Sequence, residues 1–451
     1  MITSVTSRIR GRRRTAGRIL IGAVVSALLA ACSATSASGN ATALGPSALV
    51  APKKHVTITV MTWQPGGPGL WKTLISGFEA KYPTITVNQE VVPYTAYPSK
   101  LGEFRSAGSG PDVLDISAGA YLLQYSDILT PLNKEVKDII GNLYDANNEC
   151  EDFNCSKNVY GLTTTLQGHP LYYNKKLLAS LKIAPPTTWS QLAAACKTLT
   201  RAGKACIATG MQGGTELGVM LELLQETSSL GQCQGLFTGS SHYTDANFVA
   251  SLKLFQNQIA KWVQPGAVGD SLAPQAQDYF ETGKAGFFTG LIGDYYDWNL
   301  LAQAMGKGNI GVINYPPITA ADPGNGITPG PLENSLDVTG GTAMAVAKWT
   351  KQPAAAFLFA RYMVSQQAQE EIVKVGGSYP ALKTLNLSSV GSPALNDISK
   401  IVGKSQGSCY LYLNAATYDP IGREAQLLAL GQTTPSAAAQ VIQAALASAK
   451  N

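Results

Sequence analysis

Charged residues and histidines are scarce in this chain of 451 residues, which has 14% charged residues and three histidines. His55, His169 and His242 are too scattered to form a metal-binding triad, and no HExxH, GxSxG or SxxK motif is present. A CxxC pair is also missing, which argues against a zinc site. We therefore expect no metal and no cofactor, and nothing here marks a nucleophile.

Long apolar runs are also missing from the sequence that follows the N-terminal region. No segment in that part reaches 18 consecutive apolar residues. Six arginines within residues 8–18 precede an apolar run at residues 19–31. This layout predicts a secretory signal at residues 1–31, too short to anchor the chain across a bilayer. Residues 29–32, Leu-Ala-Ala-Cys, look like a bacterial lipobox, in which Cys32 is lipidated and becomes the new N-terminus.

Residues 33–52 are rich in Ser, Ala, Thr and Gly and carry almost no charge, so we expect residues 32–52 to form a flexible tether. The protein is predicted to lie at the outer face of the cell membrane, anchored there by the lipid on Cys32. Without residues 1–31, the chain keeps 28 basic and 29 acidic residues, a net charge of −1. No basic field remains to attract nucleic acid.

Six cysteines remain once Cys32 is set aside, and an even number in an exported chain suggests disulfides. Proximity in the sequence favours two local pairs and leaves one long-range pair, while other connectivities stay open. These pairs are Cys150–Cys155, Cys196–Cys206 and Cys233–Cys409.

Strand and helix patterns alternate along the first hundred residues of the body. Strands are predicted at residues 56–62, 85–92 and 112–116, and helices over residues 71–78 and 97–105. This order predicts an α/β fold with a mainly parallel sheet and helices on both faces. Ligands lie beyond the carboxyl ends of such strands, which points to Trp63, Gln64, residues 117–119 and the segment after Thr165.

Residues 160–174 are the extended segment between this unit and a second α/β unit. Three consecutive threonines, residues 163–165, favour extended backbone, and Gly161 and Gly168 loosen it. An extended crossing between two lobes is a natural hinge, and the cleft that it spans is a natural binding site. An ordinary buried strand is the alternative.

Two patterns suggest catalysis or nucleotide binding, and neither fits its context. Residues 306–311 match GxGxxG, but the predicted strand follows the glycines instead of preceding them, which predicts a turn. Asp112 and Asp115 would point to opposite faces of a strand, and Asp294 and Asp297 fit a solvated helix face. A pair of catalytic carboxylates is therefore not expected here.

Several blocks of the sequence follow one another in a distinctive order: residues 78–87, 109–116, 160–162 with 171–175, 185–192, 283–288, and 340–346 followed by 352–369 and 376–382. Together they resemble the extracellular solute-binding proteins of family 1, the sugar-binding components of ABC importers. The resemblance implies a two-lobed periplasmic-binding-protein type II fold with discontinuous lobes joined by hinge strands. Lobe 1 would take residues 53–165 and 291–343, and lobe 2 residues 166–290 and 344–451.

The resemblance and the sheet rule together select candidate ligand-binding residues. Amide, carboxylate and hydroxyl groups suit sugar hydroxyls, and aromatic rings suit the CH faces of a sugar. The candidates are Trp63, Gln64, Ser117, Gln167, His169, Gln212, Thr215, Glu216, Tyr295 and Gly341. For Trp63, His169 and Glu216 a purely structural role is the alternative.

The resemblance implies a monomeric receptor that captures a carbohydrate, expected to be an oligosaccharide, and delivers it to the transmembrane subunits of an ABC permease. No catalytic residue is expected. The alternatives are a secreted carbohydrate-active enzyme, a receptor for another polar solute and a surface adhesion module.

Overall fold

The computed structural model describes residues 49–63, 69–93, 96–144, 149–152, 155–212, 216–290, 297–318, 338–390, 393–403 and 408–449. All of them belong to one compact unit of the chain, Ala41–Asn451. The predicted signal, Cys32 and most of the predicted tether lie outside these residues. In the described part of the chain, no helix is long and apolar enough to cross a membrane.

Nine strands occur in the described residues, and they form two separate sheets. The strands are β1 (Val56–Thr62), β2 (Ile85–Val91), β3 (Val113–Ser117), β4 (Leu162–Gln167), β5 (Leu171–Asn174), β6 (Ala205–Ala208), β7 (Ala285–Thr289), β8 (Ile310–Ile313) and β9 (Thr339–Val346).

The first sheet has the strand order β2-β1-β3-β9-β4. Strand β1 pairs in parallel with β2 and β3, as the alternating pattern predicted. Strand β9 lies antiparallel between β3 and β4, so four of the five strands run in one direction and β9 runs against them. The position of β9 was not predicted, because β9 joins the sheet from far along the chain and local alternation does not encode it. Strands β1, β3 and β4 consequently all run in the same direction.

The second sheet has the strand order β6-β7-β5-β8. Strand β6 is parallel to β7, while β5 is antiparallel to both of its neighbours, β7 and β8. Strands β6, β7 and β8 therefore share one direction. Their carboxyl ends meet at the edge of the sheet where β5 begins.

Helices surround both sheets. In chain order they are α1 (Leu70–Lys81), α2 (Tyr97–Ala107), α3 (Ala120–Leu123), α4 (Asn133–Val136), α5 (Lys175–Ser180), α6 (Trp189–Arg201), α7 (Glu216–Thr227), α8 (Leu230–Thr238), α9 (Ala246–Leu254), α10 (Ala260–Trp262), α11 (Gln277–Glu281), α12 (Asp297–Met305), α13 (Pro353–Met363), α14 (Gln366–Glu371), α15 (Leu387–Val390), α16 (Pro393–Val402), α17 (Tyr418–Ala429) and α18 (Pro435–Ala449). Short 3₁₀ segments include Lys307–Asn309 and Cys409–Tyr412.

Each sheet has its own helices. Helices α1 and α13 pack against the first sheet, where Phe78 of α1 meets Phe359 of α13 with ring centroids 5.0 Å apart. Helices α6 and α11 pack on the second sheet, α16 packs on β8, and α17 and α18 lie against α7 and α9. The local sequence sets several helix starts: Asn174 caps α5 and Thr188 caps α6 through side-chain oxygens.

Three disulfides occur among the described residues, and they are the three predicted pairs. Cys150–Cys155 and Cys196–Cys206 close short loops, and Cys233–Cys409 joins cysteines 176 positions apart. A simple proximity argument sufficed here because two of the pairs are local, which fixed the third by elimination.

The predicted crossing segment connects the two sheets. Strand β4 ends the first sheet at Gln167, and residues 168–170 lead directly into β5 of the second sheet. Two elements differ from the predicted division into lobes: β8 falls in the range assigned to lobe 1 but pairs with β5, and α13 falls in the range assigned to lobe 2 but packs on the first sheet. The other boundaries stay predictions.

Candidate functional site

The carboxyl-end edge of the first sheet carries several of the predicted binding residues. Strands β1, β3 and β4 end there. Trp63 directly follows β1, Ser117 is the last residue of β3, and Gln167 is the last residue of β4. Gly341 of β9 lies between them, because Ser117 pairs with Thr342 and Gln167 with Thr339. The strand directions therefore bring together residues that are up to 278 positions apart in the sequence.

Trp63 is half-buried and packs edge-on against the ring of Tyr97, with centroids 4.9 Å apart. The Tyr97 hydroxyl donates to the Asp115 carbonyl at 2.5 Å, and the Asp115 carboxylate accepts from the Thr62 hydroxyl at 2.7 Å. Burial, with the nearby Asp115 charge as a second cause, raises the pKa of Tyr97 well above its usual value. The indole is thus supported by a neutral, hydrogen-bonded phenol and leaves part of its surface open.

Gly341 is required by close packing. A Cβ atom there would lie 3.1 Å from both Gln167 Cβ and Thr165 Oγ1, so only glycine fits without displacing a neighbour. Its carbonyl accepts from the Ala118 N–H at 3.3 Å. The predicted role of Gly341 in ligand binding stays a prediction.

The matching edge of the second sheet carries Gln212, which follows β6. Its backbone N–H donates to the Asp270 carbonyl at 3.0 Å, and its side chain is exposed. Gly210 packs against the backbone of Ser271, where an added Cβ would lie 2.2 Å from the carbonyl carbon. The loop after β6 is therefore fixed by backbone contacts and presents one amide side chain outward.

The two edges adjoin at the connection between the sheets. Residues 168–170 leave the carboxyl end of β4 and enter the amino end of β5, which pairs with the carboxyl ends of β7 and β8. His169 in this connection is buried, and the Pro170 carbonyl accepts from the Gly290 N–H at 3.3 Å. The connection therefore joins the carboxyl-end edges of the two sheets. A ligand-binding cleft along these edges stays a prediction.

Residues 408–418, here called the C-terminal strap, are a part of this region that the sequence reasoning missed. Tyr418 stacks on Tyr121 of α3, just after β3, with centroids 5.9 Å apart, and on Tyr410 at 5.8 Å. Tyr410 and Tyr412 are half-buried. Their aromatic spacing was visible in the sequence, but nothing local indicated that they would lie beside β3.

The remaining predicted residues are less informative. Gln64, Thr215 and Tyr295 lie outside the described residues, and Glu216 is described only as the first residue of α7. No cluster of three or more metal-ligating side chains occurs in the described part of the chain.

The candidate catalytic and nucleotide-binding patterns have structural explanations. Asp112 accepts from the Thr59 N–H at 2.8 Å and the Thr350 hydroxyl at 2.6 Å, whereas Asp115 accepts from Thr62. The two carboxylates thus serve different partners. The GxGxxG stretch forms the 3₁₀ turn that leads into β8, as predicted.

Solved structures share this architecture. A chitin oligosaccharide binding protein superposes with a TM-score of 0.73 at 20% identity, covering 88% of this chain and 99% of the other. The maltose-bound MalE3 of T. maritima superposes with a TM-score of 0.69 at 19% identity, covering 87% of this chain and 99% of the other. The protein therefore has the two-lobed periplasmic-binding-protein fold, as predicted, with lobes built on the two sheets.

Sequence comparison identifies the family. The family model described as bacterial extracellular solute-binding protein matches residues 73–396, which is more than half of the chain. The chain belongs to this family, and the predicted resemblance is confirmed. A binding protein of Brucella abortus (strain 2308) is 26% identical over 240 residues, 51% of this chain and 56% of the relative. The match thus spans about half the length of that relative.

Proposed function

We propose that the protein is the solute receptor of an ABC importer, which captures a carbohydrate in the cleft between its lobes and delivers it to the permease. The observation that carries this proposal is the short connection at residues 168–170, which leads from the carboxyl-end edge of the first sheet, where Trp63 and Gln167 lie, to the edge of the second sheet at which β6, the strand before Gln212, ends. Family membership and the names of the structural neighbours support the choice of ligand class.

The chemistry of the edges suits a sugar. The open surface of the Trp63 indole offers an apolar face for sugar CH groups, and the tyrosines of the C-terminal strap offer others. The amides of Gln167 and Gln212 both donate and accept hydrogen bonds, as sugar hydroxyls require. A micromolar affinity is about −8 kcal/mol, which a handful of net hydrogen bonds at about 1 kcal/mol each plus one or two stacked rings can supply.

Closure of the cleft follows from the same arrangement. A ligand that contacts both lobes at once binds the closed form more tightly and shifts the population toward it, whereas one that binds both forms equally shifts nothing. The connection at residues 168–170 is short, so the lobes pivot about a defined axis instead of separating freely. The closed, loaded form is the one that we propose the permease receives.

The proposed cellular setting combines the family with the N-terminal sequence. The receptor acts outside the cytoplasm as a monomer, held at the outer face of the cell membrane by lipid on Cys32, with residues 33–52 as its tether. We propose binding without turnover, since Asp112 and Asp115 are occupied by structural hydrogen bonds.

A thermal-shift screen of the purified protein against mono-, di- and oligosaccharides tests the proposal. Binding to the native state stabilises it by about 2.7 kcal/mol at a hundredfold excess over the dissociation constant, which raises the melting temperature measurably. The expected result is that one sugar selectively raises the melting temperature and that this sugar is recovered chemically unchanged after incubation with the protein. Breakdown of the sugar would instead indicate an enzyme. A melting-temperature shift only with a non-sugar solute would show that the ligand is not a carbohydrate.

Two tryptophan variants locate the site. Trp63→Ala should abolish the sugar-induced shift. Trp349 is a matched control, because it is also half-buried in the first lobe but donates to the Pro111 carbonyl at the opposite edge of the sheet. Trp349→Ala should lower the melting temperature without changing the shift. If the sugar-induced shift in melting temperature were unchanged in Trp63→Ala, the sugar would not bind at this edge of the first sheet.

A further inference from the structure

The C-terminal strap is covalently fixed to the second lobe at one point. Cys409 forms a disulfide with Cys233 of α8, and both residues are fully buried. Helix α8 is itself well anchored: Ser229 and Gln232 form a capping box at its start, and Gly239 ends it in the left-handed conformation. The disulfide therefore ties a short 3₁₀ turn, which has little stability of its own, to a fixed helix.

The strap also contacts the first lobe. Gly119, two residues beyond the end of β3, approaches it so closely that a Cβ atom would lie 2.7 Å from the Leu411 carbonyl oxygen. Gly119 has φ +73°, a conformation that glycine adopts freely. At the far end of the strap, Tyr418 stacks on Tyr121 of α3. The strap thus spans from the second lobe to the carboxyl-end edge of the first sheet.

The end of the strap and the helix that follows it also contact the second lobe. The Thr417 hydroxyl is 3.1 Å from the Tyr243 hydroxyl, and Gln426 of α17 donates to the Met211 carbonyl, beside the candidate residue Gln212. The strap therefore contacts both the segment that follows β3 in the first lobe and the second lobe, and it carries the half-buried rings of Tyr410 and Tyr412.

We propose that the Cys233–Cys409 disulfide positions one wall of the binding cleft, in addition to stabilising the fold. This inference rests on the proposed function for its effect on affinity, but the positioning itself is independent of any ligand. The other two disulfides lack this role: Cys196–Cys206 joins the middle of α6 to the start of β6 within the second lobe, and Cys150–Cys155 closes a loop in the first.

Hydrogen exchange of the ligand-free protein tests the positioning directly. The variant Cys233→Ala/Cys409→Ala should exchange faster at residues 409–413 and, in the other lobe, at residues 119–123, while β1 keeps its protection. The matched control Cys196→Ala/Cys206→Ala should leave residues 119–123 unchanged. Unchanged exchange at residues 119–123 in the first variant would overturn the proposal, because the strap would then hold its place without the disulfide.

Affinity measurements with maltotriose and chitotriose supply the second readout. The Cys233→Ala/Cys409→Ala variant should bind about tenfold more weakly, because two tyrosine side chains and their segment must then be ordered on binding. The Cys196→Ala/Cys206→Ala variant should bind as the unmodified protein does. Equal affinities in all three proteins would refute the proposal.

The outcomes separate this inference from the proposed function. If the unmodified protein bound neither sugar, the choice of ligand would fail while the exchange experiment still decided the role of the disulfide. If the double variant did not fold, Gly119→Ala would disturb the contact between the strap and the first lobe with the disulfide intact. Exchange at residues 409–413 should then stay slow because the disulfide still holds the strap, and faster exchange there would count against the proposal.

Discussion

Gln369 holds the strand that leads into the interlobe connection, and its replacement by leucine should cost several kcal/mol of folding free energy. The side chain is fully buried in α14. Its Nε2 donates to the carbonyls of Thr164 and Met363, both at 2.9 Å, and its Oε1 accepts from the N–H groups of Ala381 at 2.8 Å and Leu382 at 3.2 Å. One amide therefore joins β4, the end of α13 and the segment at residues 381–382.

The magnitude follows from what leucine leaves behind. The β4–β9 register shifts between Thr163 and Thr165, so the Thr164 carbonyl depends on the Gln369 amide. Each hydrogen bond contributes about 1 kcal/mol net, and each buried group left unpaired costs about 1–3 kcal/mol. Leucine has a similar volume, so little cavity is created. We expect Gln369→Leu to lower the free energy of unfolding by about 3–5 kcal/mol.

Urea denaturation followed by circular dichroism measures this loss. Gln366→Leu is the matched control, since Gln366 lies one turn earlier on the same helix and is exposed. The control should change the free energy of unfolding by no more than about 0.5 kcal/mol. A loss below about 1 kcal/mol in Gln369→Leu would refute the view that this amide organises the connecting strand.

Two further predictions concern glycines and a buried carboxyl. Gly102→Ala in α2 should raise the melting temperature, since nothing lies within 4 Å of the added Cβ and alanine favours a helix by about 0.5–1 kcal/mol. Gly210→Ala should lower the melting temperature sharply, because the added Cβ would lie 2.2 Å from the Ser271 backbone. Equal melting temperatures of the two variants in thermal scans would contradict this reasoning. Burial raises the pKa of Glu135, whose carboxylate oxygens have no hydrogen-bond partner among the described residues, so ionisation at neutral pH is unfavourable in the folded state. Glu135→Gln should therefore stabilise the protein above that raised pKa, and its advantage in urea denaturation should shrink as pH falls through it. An advantage independent of pH would refute the assignment.

Local patterns in the sequence sufficed for the elements that local physics determines. The alternation at residues 56–62 and the helical spacing from Trp71 to Phe78 correspond to β1 and α1. The sheet rule placed Trp63 and Ser117 at one edge, because it needs only the direction of each strand. The short-range cysteine pairs followed from the same kind of proximity.

Long-range pairing was beyond those patterns. The antiparallel insertion of β9 between β3 and β4 and the pairing of β8 with β5 depend on contacts between distant segments. The strap was missed for the same reason. Gly119 and Leu411 are in contact although nearly 300 positions separate them in the sequence, and neither stretch contains a pattern that predicts the contact. The resemblance to the family supplied the two-lobed fold, but it did not assign every element to its lobe.

Closure of the two lobes on a sugar is the central claim, and the distance between the lobes tests it most directly. Spin labels at Lys72→Cys on α1 and Lys253→Cys on α9 would report it, since both positions are exposed and the six body cysteines are already paired. In a Cys32→Ser background, double electron–electron resonance should show a shorter and narrower distance distribution once the sugar selected by the thermal screen is added. An unchanged distribution under saturating sugar would contradict closure.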